Sequence, residues 1–213
     1  MNDYWYHKKQ PPESFVEEIR KNVKGEPVLT LQMNGRDIVL LKTDGPTFAY
    51  IFSQNRKYLF RGEYTAEPVD NDYNNSDSYV TEDGLAGFSL SYDGWLTSLF
   101  SNLPEKGFAL AARSFILPRV DRLCCIVSGD GNDSALARFY MDAYGFVPWA
   151  YTSDDRILMR QCYGDEFVDT FEKLHGVPRH LFMLKKEICP PDVEPRIFDD
   201  YFEAENYTGG HKR

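Results

Sequence analysis

The sequence lacks the features that mark several large classes of protein. No apolar run reaches the length that crosses a membrane, and no basic-plus-apolar signal segment opens the chain. It contains no P-loop, no dinucleotide-binding fingerprint, no G-x-S-x-G nucleophile motif and no internal repeat. We therefore expect a soluble, cytoplasmic protein that has no membrane partner and is not a serine hydrolase.

Spacings typical of metal ligands are also missing. The four cysteines include no CxxC pair, and the four histidines are scattered along the chain. Cys124 and Cys125 are adjacent in a segment that we predict to be a strand, so their side chains should point to opposite faces. We expect four reduced, structural thiols rather than catalytic ones, and no metal site.

The formal net charge of −9 is unevenly distributed. Residues 62–83 contain seven acidic residues and no Lys or Arg, and residues 187–207 contain seven acidic residues and one Arg. The rest of the chain is therefore mildly basic, which suits an anionic nucleotide cofactor. The acidic segments suit an amine substrate and argue against unaided binding of nucleic acid. A simpler explanation, that charged loops keep the protein soluble, stays open and is the favoured one.

Local signals divide the chain into four segments. The predicted segments are an N-terminal helix with a hairpin (1–61), an acidic loop (62–83), a core (84–187) and an acidic C-terminal tail (188–213). In the first segment, Ser14 and Glu17 have the spacing of a helix capping box, and Gly25 should end that helix. Asn34-Gly35 predicts a hairpin between Val28–Met33 and Asp37–Leu41, and Thr47–Phe52 reads as a further strand.

The stretch from Gly94 to Phe146 organises the core. It predicts a strand at Trp95–Ser101 and then a helix that begins at Gly107 and stops at Pro118. A strand at Arg122–Val127 and a turn at Ser128–Asp133 follow. A second predicted helix has Gly145 as its C-terminal cap, and its inward face consists of Leu136, Phe139, Tyr140 and Ala143. Two strands that each lead into a helix predict a parallel pair. The start of the first helix then lies at a crevice and can bind phosphate or pyrophosphate.

Hairpin and helix signals continue on both sides of this stretch. Predicted elements are a strand at Leu85–Ser91 that turns through Asp93-Gly94, a strand at Val147–Tyr151, a helix at Asp165–Leu174 and a last strand at Arg179–Lys185. The tail from Cys189, which is rich in proline, glycine and acidic residues, should be loosely packed.

Two motifs in the core carry a family resemblance. The loop Pro104–Ala109 has the sequence PEKGFA, and the second helix ends in FYMDAYGF at residues 139–146. These motifs, with the strands and helices around them, resemble the core of the GCN5-related N-acetyltransferase (GNAT) superfamily, and more specifically acetyltransferase-like proteins of phages and prophages. The resemblance covers about a quarter of the chain, or half if the strand near Phe182 is included.

The resemblance implies a fold, a cofactor and a set of site residues. The fold would be α/β (α+β), with a mixed, mostly antiparallel sheet, a central splayed parallel pair and helices on both faces. The cofactor would be acetyl-CoA. The implied cofactor-binding residues are Leu99, Phe100, Ser101, Lys106, Gly107, Phe108 and Ala109. Tyr140 is the implied catalytic acid, although a core tyrosine on an apolar helix face is an equally good interpretation.

The sequence departs from the family pattern at three places. Pro104 stands where the family has Gln or Arg, so one contact to the pyrophosphate is missing or comes from elsewhere. The family's tyrosine position is occupied by Met141, and Tyr140 lies one residue earlier, which rotates it by about 100° on a helix. The predicted hairpin through Asn34-Gly35 replaces helices that the family places between its first two strands.

Three hypotheses for function remain. The first is an acyl-CoA-dependent N-acyltransferase that transfers an acetyl group directly to a small-molecule or protein amine. The alternative is a catalytically inactive interaction protein of the same fold, encoded by a phage and directed at a host protein. A third is modification of a nucleic-acid base, against which the acidic segments weigh. The general base is not identified among Glu63, Asp93, Glu105 and Asp130, and a homodimer is left open.

Overall fold

The computed structural model describes residues 11–59, 73–129, 135–189 and 194–207. The chain divides into two compact units, Met1–Arg119 and Val120–Arg213. Among the described residues, no helix combines the length and the apolar character needed to cross a membrane.

Five strands pair in chain order in the described part of the first unit. They are β1 (Glu26–Met33), β2 (Arg36–Thr43), β3 (Ser76–Thr81), β4 (Ala86–Ser91) and β5 (Trp95–Ser101). Each pairs antiparallel with the next, so β1 is an edge strand. Both predicted hairpin turns are confirmed, because Asn34, Gly35 and Gly94 adopt the positive φ angles (50°, 77° and 91°) that tight turns favour.

The described residues of this unit also form three helices, one of which lies where the sequence predicts a strand. The helices are α1 (Glu13–Asn22), α2 (Gly45–Leu59) and α3 (Phe108–Ile116), and short 3₁₀ turns lie at Tyr73–Asn75 and Leu117–Arg119. The strand predicted at Thr47–Phe52 is wrong, because these residues belong to α2. Asp44 Oδ1 accepts a hydrogen bond from the Thr47 amide at 2.7 Å, as an N-cap does. A short apolar run does not separate helical from strand periodicity.

The buried face of α2 forms the core of this unit. Phe48 and Ile51 are fully buried and pack with Ile19 of α1, Val80 of β3 and Phe100 of β5. This packing decides the structure of a segment whose aromatic content alone favours a strand.

Two further local predictions in the first unit need correction. The capping box at Ser14 is wrong, because α1 begins at Glu13 after Pro12 and no side chain caps it. The long loop predicted at 62–83 is wrong for residues 76–81, which form β3, while residues 60–72 lie outside the described part. The polar composition of β3 hid it from the sequence analysis. Its buried Ser78 hydroxyl pairs with the Ser89 hydroxyl of β4 at 2.9 Å, which removes the cost of burying both.

Residues 120–129, 135–189 and 194–207 of the second unit form four strands, which do not pair in chain order. They are β6 (Arg122–Ser128), β7 (Phe146–Thr152), β8 (Pro178–Lys185) and β9 (Arg196–Phe198). β8 lies between β6 and β7 and is antiparallel to both, and β9 pairs parallel with β7. The predicted positions of β6, β7 and β8 are confirmed to within one residue at each end. Of the turn predicted at Ser128–Asp133, residues 130–133 lie outside the described part.

Four helices accompany these strands in the same described ranges. They are α4 (Ala135–Tyr144), α5 (Arg156–Tyr163), α6 (Asp165–His175) and α7 (Tyr201–Glu205). The helix predicted at Asp165–Leu174 is confirmed, and α5 was not predicted. The inward face of α4 was predicted with an error, since Leu136 is 45% exposed whereas Ala137 and Tyr144 are buried. Gly145 ends α4 as predicted, with its amide donating to Met141 O at 3.2 Å.

The C-terminal segment packs more closely than predicted. Residues 194–207 include β9 and α7, and Ala204 is fully buried. The Trp149 Nε1 donates to Tyr207 O at 2.6 Å, and the two rings stack with centroids 5.1 Å apart. Loose packing is therefore wrong for these residues, because their aromatic side chains provide apolar area despite the acidic composition.

Both units combine helices with mostly antiparallel strands, which confirms the fold class at this level. The expected splayed parallel pair would join β5 and β6, which belong to different units, and it stays a prediction. The four predicted segments and the family's fold also stay predictions.

Candidate functional site

The predicted cofactor loop lies in the first unit, between β5 and α3. Gly107 is the N-cap of α3 and has a φ of 103°, which residues with a Cβ rarely adopt. Gly107 has no side chain with which to cap this helix start, and a Cβ built on Gly107 would meet no atom within 4 Å. The positive end of the α3 dipole therefore lies beside open space.

A buried amide network holds Asn102, the residue that follows β5 and precedes this loop. Asn102 Nδ2 donates to Asn55 Oδ1 at 2.9 Å and to Asn55 O at 3.1 Å, and Asn102 N donates to Leu85 O at 2.7 Å. Asn55, which is fully buried, donates in turn to Ile51 O and Gly84 O. Because every one of these groups is neutral and paired, the network fixes the exit of β5 without burying a charge.

A β-bulge lies in β5 before the loop. Ser89 of β4 pairs with Ser98, but the next residue, Leu90, pairs with Leu96, so Thr97 is an extra residue in β5. A bulge bends a strand and redirects its backbone groups, and such irregularities are frequent beside active sites. The structure thus places a bend of the backbone a few residues before the predicted cofactor loop.

The three residues predicted on β5 differ in their surroundings. Phe100 is buried in the core, with its ring centroid 6.0 Å from that of Phe48. Leu99 and Ser101 are half-buried. The Ser101 Oγ atom is itself buried and forms no hydrogen bond to a described residue.

An ion pair joins the loop to the first hairpin. Arg36, the first residue of β2, contacts Glu105 of the loop across 69 residues of sequence. The other carboxylate oxygen of Glu105 is buried without a hydrogen bond to a described residue. Sequence analysis missed Arg36, because no local pattern relates a hairpin turn to a loop so distant along the chain. The pair neutralises the acid of the loop, and the next residue, Lys106, is exposed.

These residues fit the pyrophosphate of a coenzyme A thioester. Gly107 leaves room at the helix start, the dipole of α3 favours an anion there, and Arg36 and Lys106 offset the charge of Glu105. Phe108 is buried against the sheet, with its ring centroid 6.3 Å from that of Phe88, so it anchors the first turn of α3. Ala109 follows it and adds no bulk. The assignment of Lys106, Gly107, Phe108 and Ala109 to the cofactor stays a prediction.

Tyr140 lies on α4 in the second unit and is only 7% exposed. Its ring centroid is 5.5 Å from that of Phe139 and 5.6 Å from that of Tyr144, so it belongs to an aromatic cluster. Burial raises the pKa of the Tyr140 hydroxyl well above its usual value. These surroundings are typical of a core tyrosine, and the role of Tyr140 as an acid stays a prediction.

The carboxylates considered for the general base do not converge on the loop. Glu105 pairs with Arg36, and Asp93 accepts a hydrogen bond from Ser91 within the turn between β4 and β5. Glu63 and Asp130 lie outside the described residues. None of these contacts assigns a base.

All four cysteines are free thiols. Cys125 is buried and Cys124 is half-buried on the opposite face of β6. Burial raises the pKa of Cys124 well above its usual value and that of Cys125 to about 12, which keeps both thiols neutral and poorly nucleophilic. In the part of the chain that the structure describes, no group of three or more His, Cys, Asp or Glu residues could hold a metal ion.

The second unit contains a buried polar cluster that sequence analysis missed. Asp155, the N-cap of α5, is 5% exposed and His180 of β8 is 8% exposed. His180 Nδ1 lies 2.5 Å from Asp155 Oδ2, and the same oxygen accepts the His180 amide at 2.7 Å and the Thr152 hydroxyl. The His180 amide also lies 2.9 Å from Thr152 Oγ1. One carboxylate oxygen thus ties the start of α5 to two strands.

The charge of Asp155 depends on these contacts. Burial opposes its ionisation, but the hydrogen bonds and charge of His180 and the Thr152 hydroxyl outweigh burial and hold the pKa of Asp155 below its usual value. The Tyr201 ring packs edge-on against the imidazole, with centroids 4.9 Å apart. An Asp that fixes Nδ1 of a histidine can orient it as a base, but the described contacts of His180 include no nucleophile. We assign the cluster a structural role.

Comparisons with known proteins identify no family for this chain. No protein-family model matches this chain, and neither a curated protein nor a solved structure matches it. A proposal for function therefore depends on the residues and contacts described above.

Proposed function

We propose that this chain is an acyl-CoA-dependent N-acyltransferase that uses acetyl-CoA and transfers the acetyl group directly to an amine. The observation that carries the proposal is the start of α3, where the N-cap is Gly107, with a φ of 103° and open space in place of a side chain. A helix start of this kind favours the phosphate groups of a nucleotide cofactor. The Asn55–Asn102 network supports the proposal, because it holds the loop in place before any ligand binds.

The strand before the loop would serve the reacting thioester. Attack by an amine creates an oxyanion, which a positioned backbone N–H group stabilises. The bulge at Thr97 redirects the backbone of β5, and Leu99, Phe100 and Ser101 follow it toward the loop. We propose that an amide of this segment donates to the oxyanion.

The acceptor is an amine of a small molecule or a protein. The acidic segments of the sequence would attract a cationic amine, while the positive dipole end of α3 would attract the cofactor. The acetyl group leaves the sulfur of the thioester and forms an amide with the amine nitrogen. The cationic amine first releases one proton to solvent, so that its nitrogen can attack. The nitrogen loses a second proton as the amide forms, and the departing thiolate gains one.

Titration calorimetry with acetyl-CoA and with CoA tests the proposal. We expect saturable binding of both, with affinities in the range of about 1 to 100 μM that is common for enzyme substrates. Absence of binding at millimolar cofactor would overturn the acyltransferase proposal.

Gly107 offers a matched pair of variants. Gly107→Asn and Gly107→Asp introduce side chains of equal size, and both residues tolerate positive φ better than other residues do. We expect Gly107→Asp to weaken binding of acetyl-CoA far more than Gly107→Asn, because only Asp repels the pyrophosphate. Circular dichroism should show both variants folded. Equal binding of acetyl-CoA by the two variants would show that the pyrophosphate does not bind beside residue 107.

The catalytically inactive interaction protein remains the second candidate. The burial of Tyr140 in an aromatic cluster favours it, since this residue was the predicted acid. If the enzyme uses Tyr140, Tyr140→Phe lowers turnover more than it lowers affinity for acetyl-CoA. Equal turnover removes Tyr140 from the mechanism, and absence of both binding and turnover in the unaltered protein favours the interaction protein.

A further inference from the structure

The edge of β1 that faces away from β2 is protected against pairing with another chain over only part of its length. Glu26, Pro27 and a register irregularity between Pro27 and Leu29 lie at its start. Charge, proline and bulges are the usual devices that keep an edge strand from pairing with another chain. Residues 29–33, with the sequence LTLQM, contain neither charge nor proline.

The alternation of hydrogen-bonded pairs between β1 and β2 shows which backbone groups of β1 point outward and can bind another strand. Met33 and Arg36 close a two-residue turn and form a hydrogen-bonded pair, and alternation along the antiparallel ladder makes Leu31 the next bonded position. The N–H and C=O groups of Thr30 and Gln32 therefore point away from β2. Among the described residues, no backbone partner outside the hairpin satisfies them.

A groove of about 440 Å³ runs beside the same edge. Its described lining residues are 29–32 of β1 and Ala111, Ser114, Phe115 and Arg119 from α3 and the turn after it. Leu31 is buried on the side of β1 that belongs to the core, while Thr30 and Gln32 are exposed. A strand added to β1 would place alternate side chains on the groove side.

Arg119 gives the groove its charge, since it is the one charged residue among the described lining residues. Its Nη1 atom donates to Phe115 O at 2.7 Å, and its guanidinium carbon lies 3.9 Å from the centroid of the Phe115 ring. These contacts hold the guanidinium beside the groove while its other N–H donors remain for a partner. The groove therefore favours a carboxylate next to an apolar side chain.

We propose that this edge and groove bind an extended acidic peptide segment of another protein, which adds to β1 as a further strand. Thr30 and Gln32 exchange backbone hydrogen bonds with the peptide, as in other complexes that extend a sheet. One apolar side chain of the peptide enters the groove beside Leu31 and Phe115, and an Asp or Glu contacts Arg119. A second copy of β1 fits less well, because its segment 29–33 has no carboxylate for Arg119. The proposal does not depend on acyl transfer.

An array of labelled hexapeptides tests the proposal by fluorescence anisotropy. The peptides are acetylated and amidated, alternate Thr with Val, Leu, Ile or Phe, and carry one Asp at varied positions. A matched set carries Lys in place of Asp. We expect saturable binding of some Asp peptides below about 1 mM and binding about threefold to tenfold weaker for their Lys counterparts. No binding of Asp peptides, or equal binding of the Lys set, overturns the proposal.

Two protein variants, one control variant and one peptide variant locate the binding site. Thr30→Pro removes the outward N–H group, whereas Thr30→Val keeps it and is the control. Loss of the backbone hydrogen bonds should weaken binding at least about tenfold in Thr30→Pro but not in Thr30→Val. Arg119→Gln should abolish the preference for Asp over Lys. If Thr30→Pro fails to fold, methylation of the peptide's alternate backbone amides tests the same hydrogen bonds, and unchanged binding overturns strand addition.

Sedimentation velocity separates a peptide partner from a second copy of the chain. The proposal predicts that the unaltered protein and the Thr30→Val variant have the same mass. It also predicts that neither dimerises through β1. A dimer that dissociates in Thr30→Pro and excludes the peptides would overturn the proposal, since the edge would then be covered by the chain itself.

Discussion

The two compact units each anchor a turn that leads into a helix, but they use different chemistry. In the first unit, the exit of β5 is held by neutral amides of Asn55 and Asn102. In the second unit, the start of α5 is held by the carboxylate of Asp155, which contacts His180 and Thr152. Amide networks do not titrate, whereas a buried carboxylate gains stronger hydrogen bonds and becomes sensitive to pH and to loss of a partner.

The largest effect on stability should follow loss of Asp155, the charged anchor of the second unit. Asp155→Ala leaves His180 Nδ1 and the Thr152 hydroxyl without their shared partner, Asp155 Oδ2, in a buried place, and we expect the free energy of unfolding to fall by about 3 kcal/mol. Urea denaturation followed by circular dichroism measures this loss. A loss smaller than about 1 kcal/mol would show that solvent replaces the carboxylate and that the cluster is not an anchor.

Loss of the neutral anchor should lower the free energy of unfolding less than loss of the charged one. Asn102→Ala removes two donated hydrogen bonds to Asn55 and leaves its carbonyl groups buried, so we expect a loss of about 2 kcal/mol in the same measurement. Asn22→Ala is a suitable control, because Asn22 donates to Glu18 O on the exposed surface of α1 and should change stability by less than about 0.5 kcal/mol. If Asn102→Ala matches the control, the exit of β5 is held by the sheet alone.

The pH dependence should distinguish the two anchors directly. The folded-state pKa of Asp155 is lowered, so its stabilisation is fully present above the ordinary Asp pKa of about 4 and is lost as the pH falls through the folded value. The difference in unfolding free energy between the unaltered protein and Asp155→Asn should therefore shrink as the pH falls from about 5 to about 3. The difference for Asn102→Ala should stay constant over this range. A constant difference for Asp155→Asn would contradict the lowered pKa.

The smallest effect concerns the exposed ion pair in the first unit. The Arg36 side chain is 66% exposed, so solvent screens its attraction to Glu105. We expect Arg36→Gln to change the free energy of unfolding by less than about 0.5 kcal/mol. If the loop binds acetyl-CoA, the same variant weakens cofactor binding, which calorimetry would detect. A large loss of stability would mean that Arg36 holds the loop in place rather than serving a ligand.

Elements with strong local signals were predictable from the sequence. Asn34-Gly35 and Asp93-Gly94 specify hairpins, because few residues adopt the positive φ of a tight turn. The apolar spacing of α6 and of the helix after Gly107 specified both helices. The same reasoning failed for α2, whose aromatic residues favour a strand locally, and for β3, whose buried Ser78 is acceptable only because Ser89 lies opposite.

The candidate site was predictable only in part. The position of the loop, the N-cap role of Gly107 and the start of α3 follow from nearby residues. The contacts that give the loop its charge and rigidity do not, because Arg36 and Asn55 lie far from it in sequence. The Asp155–His180 cluster was hidden for the same reason, since 25 residues separate its two members.

The sequence by itself determined the tight turns, the amphipathic helices and the glycine at the start of α3, because these depend on φ preferences and on periodicity over a few residues. Only the tertiary structure decided which polar groups are buried and how they are paired. A buried amide or carboxylate is stable only when its partners are in place, and those partners come from elements that meet only after the chain has folded.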